Sequence, residues 1–198
     1  MIIEPSNNIQ IGRRVIDGLE GIEIIEDLRW CSIENLWYIY LSITNVNDEK
    51  VCMPKITYWY ITIPNEYPRG SIHFYPCSLK GIKETFEHQT NNGIIAQNGL
   101  WKSGYLCLEN PLNYFEEFTD FIIPENANEK ILWYTSRALQ WIKLANRNEL
   151  WSNDDKFELP YFKESYDGLV GFSENRVDFE EWEDVEVNTG IVHLHYFL

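Results

Sequence analysis

Trp59-Tyr60-Ile61-Thr62-Ile63-Pro64-Asn65-Glu66-Tyr67-Pro68, followed closely by Ile72-His73-Phe74-Tyr75-Pro76, is the stretch on which the fold turns. Residues 57–63 are β-branched and aromatic in the way a pleated, half-buried surface favours, and they read as a strand. Pro68-Arg69-Gly70 supplies a turn, and residues 71–75 make a short strand bracketed by Pro76. Working outward, residues 36–44 read as another strand, and residues 22–30 alternate apolar and polar side chains imperfectly, as a further strand. The link at residues 45–54 contains Asn-Val-Asn-Asp and suits a hairpin turn. Four strands with tight links predict an antiparallel meander. Residues 10–19 predict a short helix, ended by Gly18 and Gly21. Residues 126–146 carry the strongest helical signal, with Ile131, Leu132, Thr135, Leu139, Ile142 and Leu144 near helical spacing. Trp133, Tyr134 and Trp141 broaden that apolar face, which reads as core. The fold class is therefore α+β.

A second stretch, Gly104-Tyr105-Leu106-Cys107-Leu108-Glu109-Asn110-Pro111, carries the candidate chemistry. One thiol stands between a glycine turn and a predicted helix at residues 111–118. Asn110 suits the cap of that helix, and Pro111 its first turn, where a missing N–H costs little. A helix opening just after a thiol turns positive partial charge towards it and favours the thiolate. Cys107 is thus a candidate nucleophile that accepts and hands on an acyl group. The same local pattern also suits a small buried hydrophobe. The other cysteines, Cys31, Cys52 and Cys77, are widely spaced, and neither a Cys-x-x-Cys pair nor a helical His-x-x-x-His suggests zinc. Cys31 and Cys52 flank predicted strands and read as inert; Cys77, just after Pro76, reads as partly exposed with nothing nearby to activate it. His193 and His195 alternate on one predicted strand face, without a third metal ligand.

Composition narrows the classes of partner. The 198 residues are 44% hydrophobic and 24% charged, an ordinary globule with ample length for a core. A net charge of −15 argues against a nucleic-acid backbone as partner and against an acidic membrane surface. No apolar run approaches the roughly 20 residues that span a bilayer. Glu4, Asn7 and Asn8 interrupt the N-terminus before an apolar core forms, which reads against a signal peptide and for a cytoplasmic protein without disulfides. Eight Trp and twelve Tyr supply core and sheet residues, with a surplus for an interface. From Lys163 the character changes: residues 174–186 are strongly acidic around Phe179 and Trp182, and Ile191 to Leu198 read as a strand. The expected organisation is a domain at residues 1–162 and an acidic extension at 163–198 ending in that strand. The extension reads either as a solvated acidic loop or as a protein-docking surface.

The order of these features resembles the ubiquitin-conjugating (UBC) fold. In that family a strand ends at a Tyr-Pro turn, the next strand ends at a proline, and a His-Pro-Asn element precedes Gly-x-x-Cys-Leu. Here the matching residues are Tyr67-Pro68, Pro76, His88 and Gly104 to Leu108. The likeness is nearer to the bacterial branch known from antiphage (CBASS-type) and ubiquitin-like conjugation operons. That branch often carries a late Trp-bearing helix and a downstream Glu-Leu-Pro, which here are Trp141 and Glu158-Leu159-Pro160. The likeness covers roughly residues 10–162. His88-Gln89-Thr90 stands where His-Pro-Asn is usual, and the gap from His88 to Cys107 is wider, with a Gly-, Asn- and Gln-rich loop at residues 93–103.

The resemblance implies a thioester relay. Cys107 would accept an activated protein C-terminus from an activating (adenylating) enzyme or domain and pass it to an amine, as on a lysine. The acyl donor would be a ubiquitin-like protein or a nucleotidyltransferase, and no cofactor or metal is needed, because activation belongs to the partner. His88 is expected to hold the loop together by hydrogen bonding. Asn91, Asn92 and Asn98 are candidates for the neutral amide that donates to the oxyanion, although Asn-Asn-Gly is equally ordinary turn chemistry. Asp154 and Asp155 fall near the family's acidic residue that positions the amine, or form a solvated turn. His73, inside a strand, reads as a packing residue. Two rivals stand beside the relay. One is a catalytically silent UBC-fold binding module, although such relatives typically lack the cysteine. The other is a cysteine hydrolase, which needs His88 as a base beside Cys107. The relay further expects Cys107 in a shallow, accessible groove bordered by residues 91–101.

Overall fold

The computed structural model describes residues 4–45, 52–109 and 122–150. In chain order the elements are α1 (Asn7–Ile16), β1 (Ile22–Cys31), β2 (Leu36–Thr44), β3 (Ile56–Pro64), β4 (His73–Pro76) and α2 (Ala127–Arg147). The strands form one antiparallel sheet in the order β1-β2-β3-β4, each beside its sequence neighbour. The architecture is thus an α+β meander with two helices. β2 and β3 pair without a slip from Leu36 opposite Pro64 to Thr44 opposite Ile56. β1 meets β2 less regularly, with breaks in register around Glu26.

Local chemistry explains the element ends. α1 begins three residues before the expected start because Ser6, in an extended conformation, caps it and accepts the Ile9 N–H. α2 opens on Asn126, whose side chain accepts the Glu129 N–H at 2.9 Å, and closes on Asn148 in the left-handed region at φ 58°. β4 runs through Pro76 because that residue still offers a carbonyl, which accepts the Lys102 N–H at 2.9 Å. Asn45 N–H donates to the Lys55 carbonyl at 2.8 Å and closes the ends of the β2–β3 link. The expected helix at 111–118 and the extension at 163–198 lie outside the described residues.

The sheet is covered on both faces. Trp37, Ile39, Leu41 and Ile43 of β2 join Trp59, Ile61 and Ile63 of β3 in the main core, against Ile9 and Ile16 of α1 and Ile131, Ala138, Trp141, Ile142 and Ala145 of α2. The i, i+3, i+4 spacing of those α2 residues leaves Leu132 off the stripe and 40% exposed, contrary to its expected place in the core face. The alternate residues, Tyr38, Tyr60, Cys31 and Cys77, gather around Trp101 in a second cluster. Tyr75 stacks on Trp101 with centroids 5.6 Å apart, and Tyr40 stacks on Tyr60 at 4.6 Å. Main-chain bonds dock the Trp101 segment on the strand end: Ser78 N–H to the Leu100 carbonyl at 2.9 Å, beside a Cys77–Trp101 bridge. Cys77 is therefore buried rather than partly exposed. Among the described residues no helix is long and apolar enough to cross a membrane.

Candidate functional site

Cys107 lies on a segment that a second segment holds by main-chain bonds. Residues 88–92 run alongside residues 103–107: the Cys107 N–H donates to the His88 carbonyl at 2.9 Å, and the Thr90 N–H to the Tyr105 carbonyl at 3.0 Å. Gln89 and Leu106 form a bridge, and the Gln89 side-chain amide donates to the Gly104 carbonyl at 2.8 Å. The Leu106 N–H reaches back to the Phe74 carbonyl at 3.1 Å, which joins the segment to β4. Cys107 itself is half-buried and outside any disulfide.

One face of α2 then ties both segments down. Residues 134, 137 and 141 follow helical spacing, and each donates to a loop. The Tyr134 hydroxyl donates to the Glu109 carboxylate at 2.5 Å, the Arg137 Nε–H to the Leu108 carbonyl at 2.6 Å, and the Trp141 indole N–H to the Glu87 carbonyl at 3.1 Å. Arg137 is buried, and its guanidinium lies over the Trp133 ring at 4.6 Å. Burial lowers its pKa to about 10 against the opposing pull of Tyr134, so the charge persists at neutral pH. Arg137→Met keeps the stem and removes the donor from the Leu108 carbonyl. We expect it to cost about 1–3 kcal/mol, read as a lower urea midpoint with an unchanged slope. An unchanged midpoint would mean that this bond does not hold the loop.

Cys107 opens on a groove of about 200 Å³, shared with Ile72, His73, Tyr105, Leu106, Leu108, Glu109 and Tyr134. The expected border at residues 91–101 does not line it, since part of that stretch covers the outer face of the sheet. The His73 ring meets the edge of Tyr105 with centroids 4.8 Å apart. Burial lowers the pKa of His73 below its ordinary 6.5, with Glu109 pulling the other way. Burial acts to raise the Glu109 pKa, but hydrogen bonds from Tyr134 and Ser71 and the charge of Lys130 outweigh it and hold the carboxylate ionised. At neutral pH the groove therefore presents a neutral imidazole and a carboxylate beside Cys107. A larger open cleft of about 770 Å³, between residues 66–71 and the start of α2, adjoins this groove at Tyr134 and holds no cysteine.

The supporting residues expected from the sequence fall elsewhere. His88 is buried with φ 55°, and its carbonyl holds the Cys107 N–H. The Asn92 amide donates to the Ile82 and Glu84 carbonyls at 2.8 and 2.9 Å, so it organises the preceding loop. Asn91 accepts the Gly93 N–H at 2.7 Å as a turn residue, and Asn98 accepts the Leu100 N–H at 2.8 Å. None of these four is among the described residues that line the groove. Asp154 and Asp155 lie outside the described residues. His73, Glu109, Tyr134 and Arg137 were not singled out by sequence reasoning as site residues. One local signal was available for Glu109: it stands only two residues after Cys107.

The class that emerges is an α+β meander with a half-buried cysteine on a strapped loop beside an open groove. Comparison with known proteins adds a family likeness. A stretch of 131 residues, 66% of the chain, is 35% identical to the ATP-dependent ubiquitin transferase-like protein Cap2 of Enterobacter hormaechei subsp. hoffmannii (strain UCI 50). The chain spans 22% of the length of that relative. Residues 148–197 match the family described as the Cap2 central linker domain, so this second likeness begins where α2 ends. Both likenesses are to Cap2 proteins, one of them named as ubiquitin transferase-like.

Proposed function

We propose that this chain is a UBC-like conjugating module in which Cys107 carries an activated carboxyl group as a thioester. The acyl group comes from a ubiquitin-like protein or a nucleotidyltransferase, after ATP-dependent activation by a separate enzyme or another domain. It leaves to an amine, as on a lysine, in the cytoplasm of a bacterium under phage attack. The observation that carries this reading is a half-buried thiol on an open groove: two macromolecules in turn can reach it, which a deep pocket would prevent. The likeness to a protein named ubiquitin transferase-like supports the reaction class. Residues 163–198 serve in this reading as an acidic docking extension.

Incubation of the chain with its activating enzyme, ATP and donor is expected to yield an adduct that thiol reagents release. Cys107→Ala is expected to abolish it. An equal adduct on Cys107→Ala would overturn the proposal. Persistence of the adduct in amine-free buffer separates the relay from a cysteine hydrolase, whose acyl-enzyme would pass to water.

A further inference from the structure

The sequence alone reads His73 as a packing residue on β4, yet its imidazole lines the groove on which Cys107 opens, together with Glu109. We propose that His73 is the base of the transfer step, taking the proton from the amine that attacks the Cys107 thioester, with Glu109 as the carboxylate that stabilises the imidazolium. The inference rests on the thioester reading above. In the step, the amine nitrogen bonds to the thioester carbonyl carbon and becomes positively charged, and its proton passes to the His73 imidazole. The C–S bond then breaks, and the Cys107 sulfur leaves with the electron pair as a thiolate. The imidazolium then gives its proton to water.

Three observations converge on this role. His73 is held edge-on by Tyr105 at 4.8 Å and tilted against Tyr75 at 5.9 Å, which limits how its ring can turn. Glu109 acts on His73 through its charge and is itself fixed by the Tyr134 hydroxyl at 2.5 Å. Burial holds the imidazole neutral at neutral pH, the form that accepts a proton. Among the described residues the titratable groups around His73 are Glu109, Cys107, Tyr75, Tyr105 and Tyr134, with Lys130 of α2 acting on Glu109. Glu109 is a positioning residue here, since it acts through His73.

The full chain is treated with p-nitrophenyl acetate, acetylation of Cys107 is read by peptide mass, and discharge to added lysine or hydroxylamine is timed. We expect His73→Gln to acetylate at the wild-type rate and to discharge to lysine at pH 7 about 100-fold more slowly. Discharge to hydroxylamine, a weakly basic amine that loses its proton without help, is expected to fall far less. The wild-type rate to lysine is expected to rise with pH through a step below 6.5, as the imidazole loses its proton. That step vanishes in His73→Gln. Glu109→Gln, which leaves the imidazole in place, moves the step to lower pH, because the charge that raises the His73 pKa is gone; a role in packing alone would not move it. Unchanged discharge and an unchanged pH profile in His73→Gln overturn the assignment and leave the relay intact, as does acetylation that slows in parallel with discharge. Should His73→Gln fail to fold, an unmoved step in Glu109→Gln overturns it. A wild-type Cys107 that takes no acetyl group, or that loses it only to water, overturns the relay and the base together.

Discussion

Trp141→Ala is expected to lower stability by about 3–5 kcal/mol, a large part of the roughly 5–15 kcal/mol that holds a domain folded. The indole is fully buried where α2 crosses the sheet, with its ring edge-on to Trp59 at 6.2 Å and to Phe86 at 5.9 Å. Neither ring can readily fill the space it leaves, because Trp59 belongs to the paired β3 and Phe86 to a loop held by the Gln89 side chain. The substitution also removes the donor to the Glu87 carbonyl. Trp141→Phe separates the two effects: most of the bulk stays, and we expect a loss of about 1–2 kcal/mol from the missing hydrogen bond. Since Glu87 precedes the His88 carbonyl that holds Cys107, the Phe variant should also change the rate at which Cys107 is alkylated in the native state. Urea unfolding followed by circular dichroism, with alkylation read by peptide mass, tests both. A loss below about 1 kcal/mol in Trp141→Ala would show that the helix does not depend on this wedge.

Gly104→Ala is expected to cost about 3 kcal/mol, at the upper end of ordinary overpacking. A Cβ at position 104 would stand 2.7 Å from the Asn92 Cα, 2.8 Å from its Cβ and 3.0 Å from its nitrogen. These are not the far ends of a flexible side chain, and Asn92 is fixed by its amide bonds to the Ile82 and Glu84 carbonyls and by its own N–H to Thr85. The segments at residues 88–92 and 103–107 would have to separate, straining the Gln89–Gly104 bond and the ladder beyond it. Gly104 is therefore required by close approach of two backbones rather than by a left-handed turn. Gly99→Ala provides the contrast: nothing lies within 4 Å of its Cβ, but its φ is +72°, so it should cost only about 1–2 kcal/mol of backbone strain. The prediction is that Gly104→Ala is the more damaging and alone changes the alkylation rate of Cys107. Equal costs with no change at Cys107 would refute the close-packing account.

The strands and the long helix were legible because their signals are local. Alternation marked β1, runs rich in β-branched and aromatic residues marked β2 and β3, and apolar residues near helical spacing marked α2. Ser6 was the missed cap at α1. One feature of the second layer was also open to reading: Tyr38, Tyr40, Tyr58 and Tyr60 recur at alternate positions, a large apolar face that needs a cover. What covers it was not legible, because Trp101 reaches that face from a loop far along the chain.

Cys107 was singled out as a candidate from Gly-x-x-Cys-Leu together with the family resemblance around it. The groups around it come from three places: His73 from β4, Glu109 from the Cys107 segment, and Tyr134, Arg137 and Trp141 from α2. By itself, then, the sequence determined the order of strands and the meander, since each follows from spacing within about ten residues, and it marked Cys107 as a candidate. The tertiary structure alone decided that His73 lines the groove on which Cys107 opens while Asn91 and Asn92 do not. Position in space depends on how α2 and the 88–92 segment pack against the sheet, and that packing is set by contacts between residues distant in the chain.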